Sequence, residues 1–171
     1  LDREEDAVAN EERGDEIDLV RRGENYGWNA YEGFELFSKA HRQEDATYAP
    51  PVFASRRKHG SALMGGQVYR GDKSSSFYGV YVFGDHQSKR IWGLTQDHGS
   101  PAAIRHLATA PQAITAFATD EQGGLYVVGY QGMIYQLDFT GTNFDKPAEA
   151  SPAHSDLAPD ASKSIGPANE R

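Results

Sequence analysis

The sequence predicts an all-β chain built from repeated antiparallel sheets, and three observations carry the prediction. Between Gly14 and Phe139 the aromatic and β-branched residues stand in short runs separated by Gly, Asp, Asn and Pro, the pattern of many short strands. No helical stripe of comparable strength interrupts them. The third observation is an internal repeat: Gly79-Val80-Tyr81-Val82-Phe83-Gly84 returns as Gly124-Leu125-Tyr126-Val127-Val128-Gly129, and Ile91-Trp92-Gly93-Leu94 returns as Ile134-Tyr135-Gln136-Leu137. Gly79 and Gly124 stand 45 positions apart, and Ile91 and Ile134 stand 43 apart. Both spacings fall in the roughly 40 to 50 residue period of propeller blades. Two blades do not close a ring, which takes about four to eight, so the expectation is an incomplete β-propeller.

Taken in order, residues 1–13 are charge-dense and almost without apolar content, an acidic lead-in, and Glu16-Ile17-Asp18-Leu19-Val20 is the first alternating, strand-like stretch. In Asn25-Tyr26-Gly27-Trp28, Gly27 permits a tight turn while Tyr26 and Trp28 are expected to fill space between neighbouring sheets. One blade is expected from four runs: Gly65 to Tyr69, Val80 to Phe83, Arg90 to Leu94 and Ala103 to Leu107. Its turns fall at Gly71-Asp72, Asp85-His86 and His98-Gly99-Ser100-Pro101. The next blade supplies Ile114 to Ala118, Leu125 to Val128 and Met133 to Leu137, turning first at Asp120 to Gly124. Its fourth strand is not in this stretch; closed propellers often take that strand from the far end of the domain, here upstream of Leu1. Trp92, Tyr126 and Tyr135 are expected to pack in the core or between blades. From residue 140 to 171 the chain turns to Ala, Pro, Ser, Asp, Lys and Gly. Such a segment buries too little apolar surface to offset about 1 to 2 kcal/mol of backbone entropy per residue. It reads as a disordered, flexible linker or tail, which leaves 14–139 as the partial propeller.

Composition narrows the function classes. Seventeen Lys and Arg against 25 Asp and Glu give a net charge of −8, the wrong sign for a nucleic-acid surface. The small basic run Arg56-Arg57-Lys58 reads as a solvated loop. With no cysteine there are no disulfides and no thiolate metal sites, a pattern that fits cytosol and periplasm equally. No apolar run of about 18 residues suggests a membrane segment. The chain opens at Leu1 without an initiator Met, so it is expected to be a piece of something larger whose signal peptide is not observable. Walker, His-Glu-x-x-His and Gly-x-Ser-x-Gly motifs are absent from the sequence, which removes support for ATPase, zinc protease and serine hydrolase readings.

Five ordered motifs carry a resemblance: Gly14-Asp15-Glu16-Ile17-Asp18-Leu19, Gly23-Glu24-Asn25-Tyr26-Gly27-Trp28, Glu32-Gly33, Gly65-Gly66-Gln67-Val68-Tyr69-Arg70-Gly71 and Tyr81-Val82-Phe83-Gly84-Asp85. The chain resembles the C-terminal part of the glucose/sorbosone dehydrogenase family, which includes the soluble pyrroloquinoline quinone (PQQ) sugar dehydrogenases. Gly60-Ser61-Ala62-Leu63-Met64 running into Gly65 to Gly71, with Phe83-Gly84-Asp85, brings it closer to the hedgehog-interacting-protein-like branch, part of which is thought to bind partners. The resemblance implies a six-bladed propeller of which this chain holds about the last two blades, with upstream blades needed to close the ring. It implies PQQ assisted by Ca²⁺ as cofactor, a sugar or polyol as substrate, and an extracellular or periplasmic location. The catalytic base in such enzymes is a His of an earlier blade, so no catalytic residue is expected in this chain.

The chain departs from the quinoprotein pattern at several positions. An Arg-x-Arg-Asp stretch is matched by Ala113, Thr115 and Ala116, an Asp by Tyr130, a Lys by Gln87, and a Ca²⁺-binding His-Gly-Pro segment by Ala9-Asn10-Glu11. Losing two Arg contacts, each worth about 1.5 to 3 kcal/mol, costs roughly two to four decades of affinity. The resemblance implies a piece of a protein that, intact, oxidises an aldose or related sugar with PQQ; the alternative is a non-catalytic propeller that binds a carbohydrate or protein partner.

His59, Ser61 and Asp85 are the candidate ligand contacts, because they lie at the ends of inner strands where propeller loops converge on the axis. The competing reading makes His59 a loop cap, Ser61 a partner for backbone donors, and Asp85 a turn residue accepting backbone N–H bonds. Asp85 beside His86 also has the form of a carboxylate that orients an imidazole or joins it on a metal. Asp15 and Glu16 are the candidate Ca²⁺ ligands, oxygen donors of the type that ion prefers. As neighbours on a strand they point to opposite faces, so only one of them would serve a given site.

Overall fold

The computed structural model describes residues 14–55, 62–95 and 103–144. The expectations placed on residues 1–13, on Arg56 to Lys58, on His59 and Ser61, and on the tail after residue 144 lie outside the described residues. Contacts divide the chain between residues 58 and 59, giving two compact units. Among the described residues all regular elements are strands apart from one 3-10 turn at Lys39–His41.

In the first unit, β1 (Glu16–Ile17) pairs antiparallel with β4 (Phe53–Ala54), and β2 (Tyr31–Glu32) with β3 (Glu35–Leu36). The β2–β3 turn places Gly33 at φ +59°, a conformation short hairpins require and side chains resist. The expected run through Val20 is cut to Glu16–Ile17: Val52 N–H donates to the Ile17 carbonyl (2.8 Å), and beyond that bond Leu19 and Val20 are exposed. Gly27 makes its turn as expected, its carbonyl accepting from Ala30 and Tyr31 N–H at 2.7 and 2.8 Å. Trp28 corrects the expectation of packing, since its side chain is 74% exposed and leans on Phe37 at 5.3 Å. Among the described residues of this unit Ala30, Pro51 and Phe53 are buried.

In the second unit, β5 (Leu63–Val68), β6 (Tyr81–Asp85), β7 (Arg90–Thr95) and β8 (Ala103–Thr109) form a four-stranded sheet in sequence order. A three-stranded sheet follows, β9 (Ile114–Thr119), β10 (Leu125–Gly129) and β11 (Ile134–Leu137), again in order. Every pairing is antiparallel. These are up-and-down sheets of the propeller-blade type, and the second is one strand short among the described residues. All seven strands fall where the hydrophobic runs predict them.

β6 and β7 are buried on both faces, as central strands must be. On one face Val80, Val82 and Ile91 join Ile114, Phe117, Leu125 and Val127 in a shared core, each side chain contributing about 1.5 to 3 kcal/mol by its burial. On the other, Tyr81, Phe83, Trp92 and His106 run ring to ring, with centroids 5.6 to 6.5 Å apart. Gly84 explains the small residue in the repeat: a Cβ there would stand 2.7 Å from Ile114 Cδ1, so the next sheet approaches through its missing side chain. Phe77 stacks on Phe139 at 4.4 Å and meets Phe144 edge-on at 5.5 Å. Phe144 N–H donates to Ser76 Oγ (2.8 Å), so packed structure runs past Phe139, where the sequence places the boundary.

Candidate functional site

At one end of the second unit the β6–β7 turn, the 110–113 connection and the β10–β11 turn come together. The β6–β7 turn is built around Asp85. Its Oδ2 accepts from Ala62 N–H (2.9 Å), its Oδ1 from Ser88 N–H (2.6 Å), and its carbonyl from Lys89 N–H (3.0 Å). Asp85 is 0% exposed. A carboxylate so enclosed fixes the backbone of the turn around it. Lys89, at φ +61°, closes the turn, and its carbonyl accepts from Ala110 N–H (2.8 Å). The β6–β7 turn is thereby tied to the connection leading into β9.

His86, the next residue of the turn, is half-buried. His86 is anchored through its backbone N–H to the Ala62 carbonyl (2.9 Å) and through Nδ1 to the Ile114 carbonyl (2.9 Å). A carbonyl only accepts, so Nδ1 carries the proton, and in the neutral ring Nε2 holds the lone pair. The Tyr130 ring meets the imidazole edge-on at 5.8 Å and is 73% exposed. Tyr130 N–H donates to the Ala113 carbonyl (2.8 Å), and Gln131 N–H donates to Gln112 Oε1 (3.0 Å). Two turns from different sheets are thus held at fixed spacing, with a half-buried imidazole against an exposed phenol. Sequence reasoning names His86 only as an imidazole beside Asp85 and Tyr130 only as a lost Asp, and does not join the two. The signal was there in the register: Tyr130 follows the second copy of the repeated strand as Asp85 follows the first.

The first unit carries the candidate metal ligands. Glu16 Oε2 accepts from Gly33 N–H (2.7 Å), while Asp15 is exposed and holds Ser55 N–H through its carbonyl (2.8 Å). Burial pushes the Glu16 carboxyl above its usual range, the Asp18 charge adds to it, and the Gly33 N–H opposes both. Burial also raises Asp18, whose Oδ1 lies buried with no hydrogen-bond partner. Among the described residues no group of three or more His, Asp or Glu side chains is arranged to hold a metal ion.

The chain matches the model of the Glucose / Sorbosone dehydrogenase family over residues 9–135. It belongs to that family. Among curated proteins it is 26% identical to the HIPL2 protein of Arabidopsis thaliana over 93 residues, 48% of this chain and 13% of that protein. It is 28% identical to the HIPL1 protein of the same plant over 90 residues, 46% of this chain and again 13% of that protein. The matched part is thus a small share of those relatives' length. Among solved structures it is similar to the soluble aldose sugar dehydrogenase of Escherichia coli in its apo form, with a TM-score of 0.47 and 22% identity, over 68% of this chain and 35% of that one.

The residues that the resemblance aligns with quinone contacts do not fit a tricarboxylated cofactor. Ala113 and Ala116 present methyl groups, Thr115 Oγ1 already donates to the Val128 carbonyl (3.0 Å), and Tyr130 and Gln87 are neutral. A polyanion requires cations at such positions.

Proposed function

We propose that the protein recognises a sugar or related polyol, the substrate class of its family, and that the residues described here contribute binding and not the redox step. The observation that carries this reading is the convergence of His86 and Tyr130 on two turns that Asp85 and Gln112 hold in place. Hydroxyl-rich ligands need neutral donors and acceptors beside an apolar ring face, and an imidazole against a phenol supplies both. A second reading is PQQ- and Ca²⁺-dependent oxidation of an aldose, with His59 and Ser61 among the ligand contacts and Asp15 or Glu16 on the ion. It rests on family membership, and it requires cationic quinone contacts and a catalytic His supplied by polypeptide outside these residues.

Titration with glucose and with sorbitol, followed by calorimetry, separates the readings. On the binding reading, His86→Ala and Tyr130→Ala each weaken association while leaving the urea midpoint of unfolding in place. Unaltered binding in both variants would remove these residues from the site. Tight uptake of PQQ with Ca²⁺, with dye reduction driven by glucose, would favour the oxidative reading.

A further inference from the structure

The His86 ring is fixed at one nitrogen and open at the other. Nδ1 donates to the Ile114 carbonyl (2.9 Å), the backbone N–H of the same residue donates to the Ala62 carbonyl (2.9 Å), and the Tyr130 ring stands against the imidazole edge-on. Among the described residues Nε2 has no hydrogen-bond partner. A ring held in this way carries a proton on Nδ1 whether it is neutral or cationic, so the bond to Ile114 survives a change of charge. Protonation therefore alters Nε2 alone, from an acceptor to a charged donor, without turning the ring.

The elements around the ring bring few charges to it. The β6–β7 turn carries Asp85, Lys89 and Arg90, the β10–β11 turn carries Tyr130, and residues 62–64 and 110–114 carry no ionisable side chain. Both Asp85 oxygens are taken by the Ala62 and Ser88 N–H groups. Carboxylates, phenols, lysines and arginines ordinarily titrate outside the interval of about pH 5 to 8 in which an imidazole changes charge. We propose, resting on the reading of this site as one for hydroxyl-rich ligands, that His86 selects among them by charge: its protonation opens the site to sugar acids. A sugar hydroxyl both donates and accepts, so it can meet Nε2 in either state. A uronate carboxylate only accepts, so it faces a lone pair on the neutral ring and a charge-assisted bond on the cationic one. Lys89 and Arg90 in the same turn favour an anion as well. The net charge of −8 opposes it at long range, but at physiological salt that repulsion is screened beyond about 8 Å.

The test follows the His86 and Tyr130 ring signals of the 171-residue chain by nuclear magnetic resonance between about pH 5 and 8, alone, with glucose and with glucuronate. Signals missing from the His86→Gln spectrum assign the imidazole. Glucuronate should move the His86 titration up by about one pH unit, which by reciprocity is roughly tenfold tighter binding to the protonated ring, the gain expected when a neutral hydrogen bond becomes charge-assisted. Glucose should move it far less. Calorimetry should show glucuronate binding that strengthens toward low pH in the parent and not in His86→Gln. If the sugars perturb Tyr130 while the His86 titration stays in place, the selection is overturned and the sugar site stands. If neither residue responds to either sugar, the sugar site itself is overturned and the selection with it. If the pH dependence for glucuronate persists in His86→Gln, the titrating group lies elsewhere, and that too overturns the assignment to His86.

Discussion

The two sheets of the second unit are written with nearly the same strands and end in different states. In β7 the repeated Ile is enclosed, and in β11 it faces solvent; the difference lies in β8, which one sheet has and the other lacks among the described residues. A hydrophobic motif therefore specifies a strand, and its neighbours specify whether that strand is core. The sharpest way to break this comparison is to truncate both isoleucines. Ile91→Ala should cost about 2 to 5 kcal/mol, as a cavity in a closed core does, whereas Ile134→Ala should fall within about 0.5 kcal/mol, as exposed positions do. Urea unfolding of the 171-residue chain measures both. Equal losses would mean that β11 is covered in that chain.

The turns extend the contrast. Asp85 and Asp120 both accept backbone N–H bonds, Asp120 from Gly124 (2.7 Å) and Gln122 (3.0 Å) and from the Tyr126 hydroxyl (2.8 Å). Asp85 does so while fully buried, where water cannot replace it. Asp85→Ala leaves two part-buried donors without their carboxylate, at up to about 1 to 3 kcal/mol each, and should lower the unfolding midpoint more than Asp120→Ala. A larger loss for Asp120→Ala would show that enclosure of the β6–β7 turn is not what matters.

How much of this was legible beforehand follows from the same distinction. Strand positions in the second unit could be read because alternation and turn residues are local properties of the chain. Trp28 was read as packing because the size of an aromatic ring says nothing about whether another surface meets it. Sequence places Phe144 in the tail because one aromatic in a polar stretch carries no periodicity, yet Phe77, itself stacked on Phe139, meets its ring edge-on and Phe144 is buried. The β6–β7 turn shows the same limit: sequence places Asp85 and His86 side by side, and only the positions of the Ala62 and Ser88 N–H groups decide that the Asp85 carboxylate is enclosed.

A smaller effect separates two glycines at turns flanking β10. Gly123 and Gly132 both have positive φ, +83° and +87°, so alanine at either pays about 1 to 2 kcal/mol for the left-handed conformation. At Gly123 the added Cβ would also stand 2.8 Å from the Arg70 carbonyl carbon and oxygen, while at Gly132 nothing lies within 4 Å. Gly123→Ala should therefore lower the thermal midpoint more than Gly132→Ala. The reverse order would mean that the Arg70 segment yields and that the β10–β11 turn is the constrained one.

The weakest predicted effect sets the two units against each other through pH. In the first, burial and the Asp18 charge raise Glu16; a carboxyl with a raised folded value contributes stability when protonated, below the usual carboxylate range, and loses it as pH climbs through that raised value. In the second, the Tyr126 hydroxyl and then the Gly124 N–H lower Asp120, and Ser74 and Thr140 lower Asp72 and Asp138. Their contribution is present above the usual carboxylate range and disappears as pH falls through the lowered values. Glu16→Gln removes the charge while keeping an acceptor for Gly33 N–H, so at neutral pH it should be more stable than the parent chain. Asp120→Asn gives up its charge-assisted bonds and should be less stable there. As pH falls both parent carboxyls take up protons, and the two variants should converge on the parent from opposite sides. Urea midpoints between neutral pH and about pH 3, below the usual carboxylate values, follow the convergence. If Glu16→Gln is instead less stable at neutral pH, and added Ca²⁺ restores the parent but not the variant, then the Glu16 charge holds a cation and the metal reading of that residue prevails over simple burial.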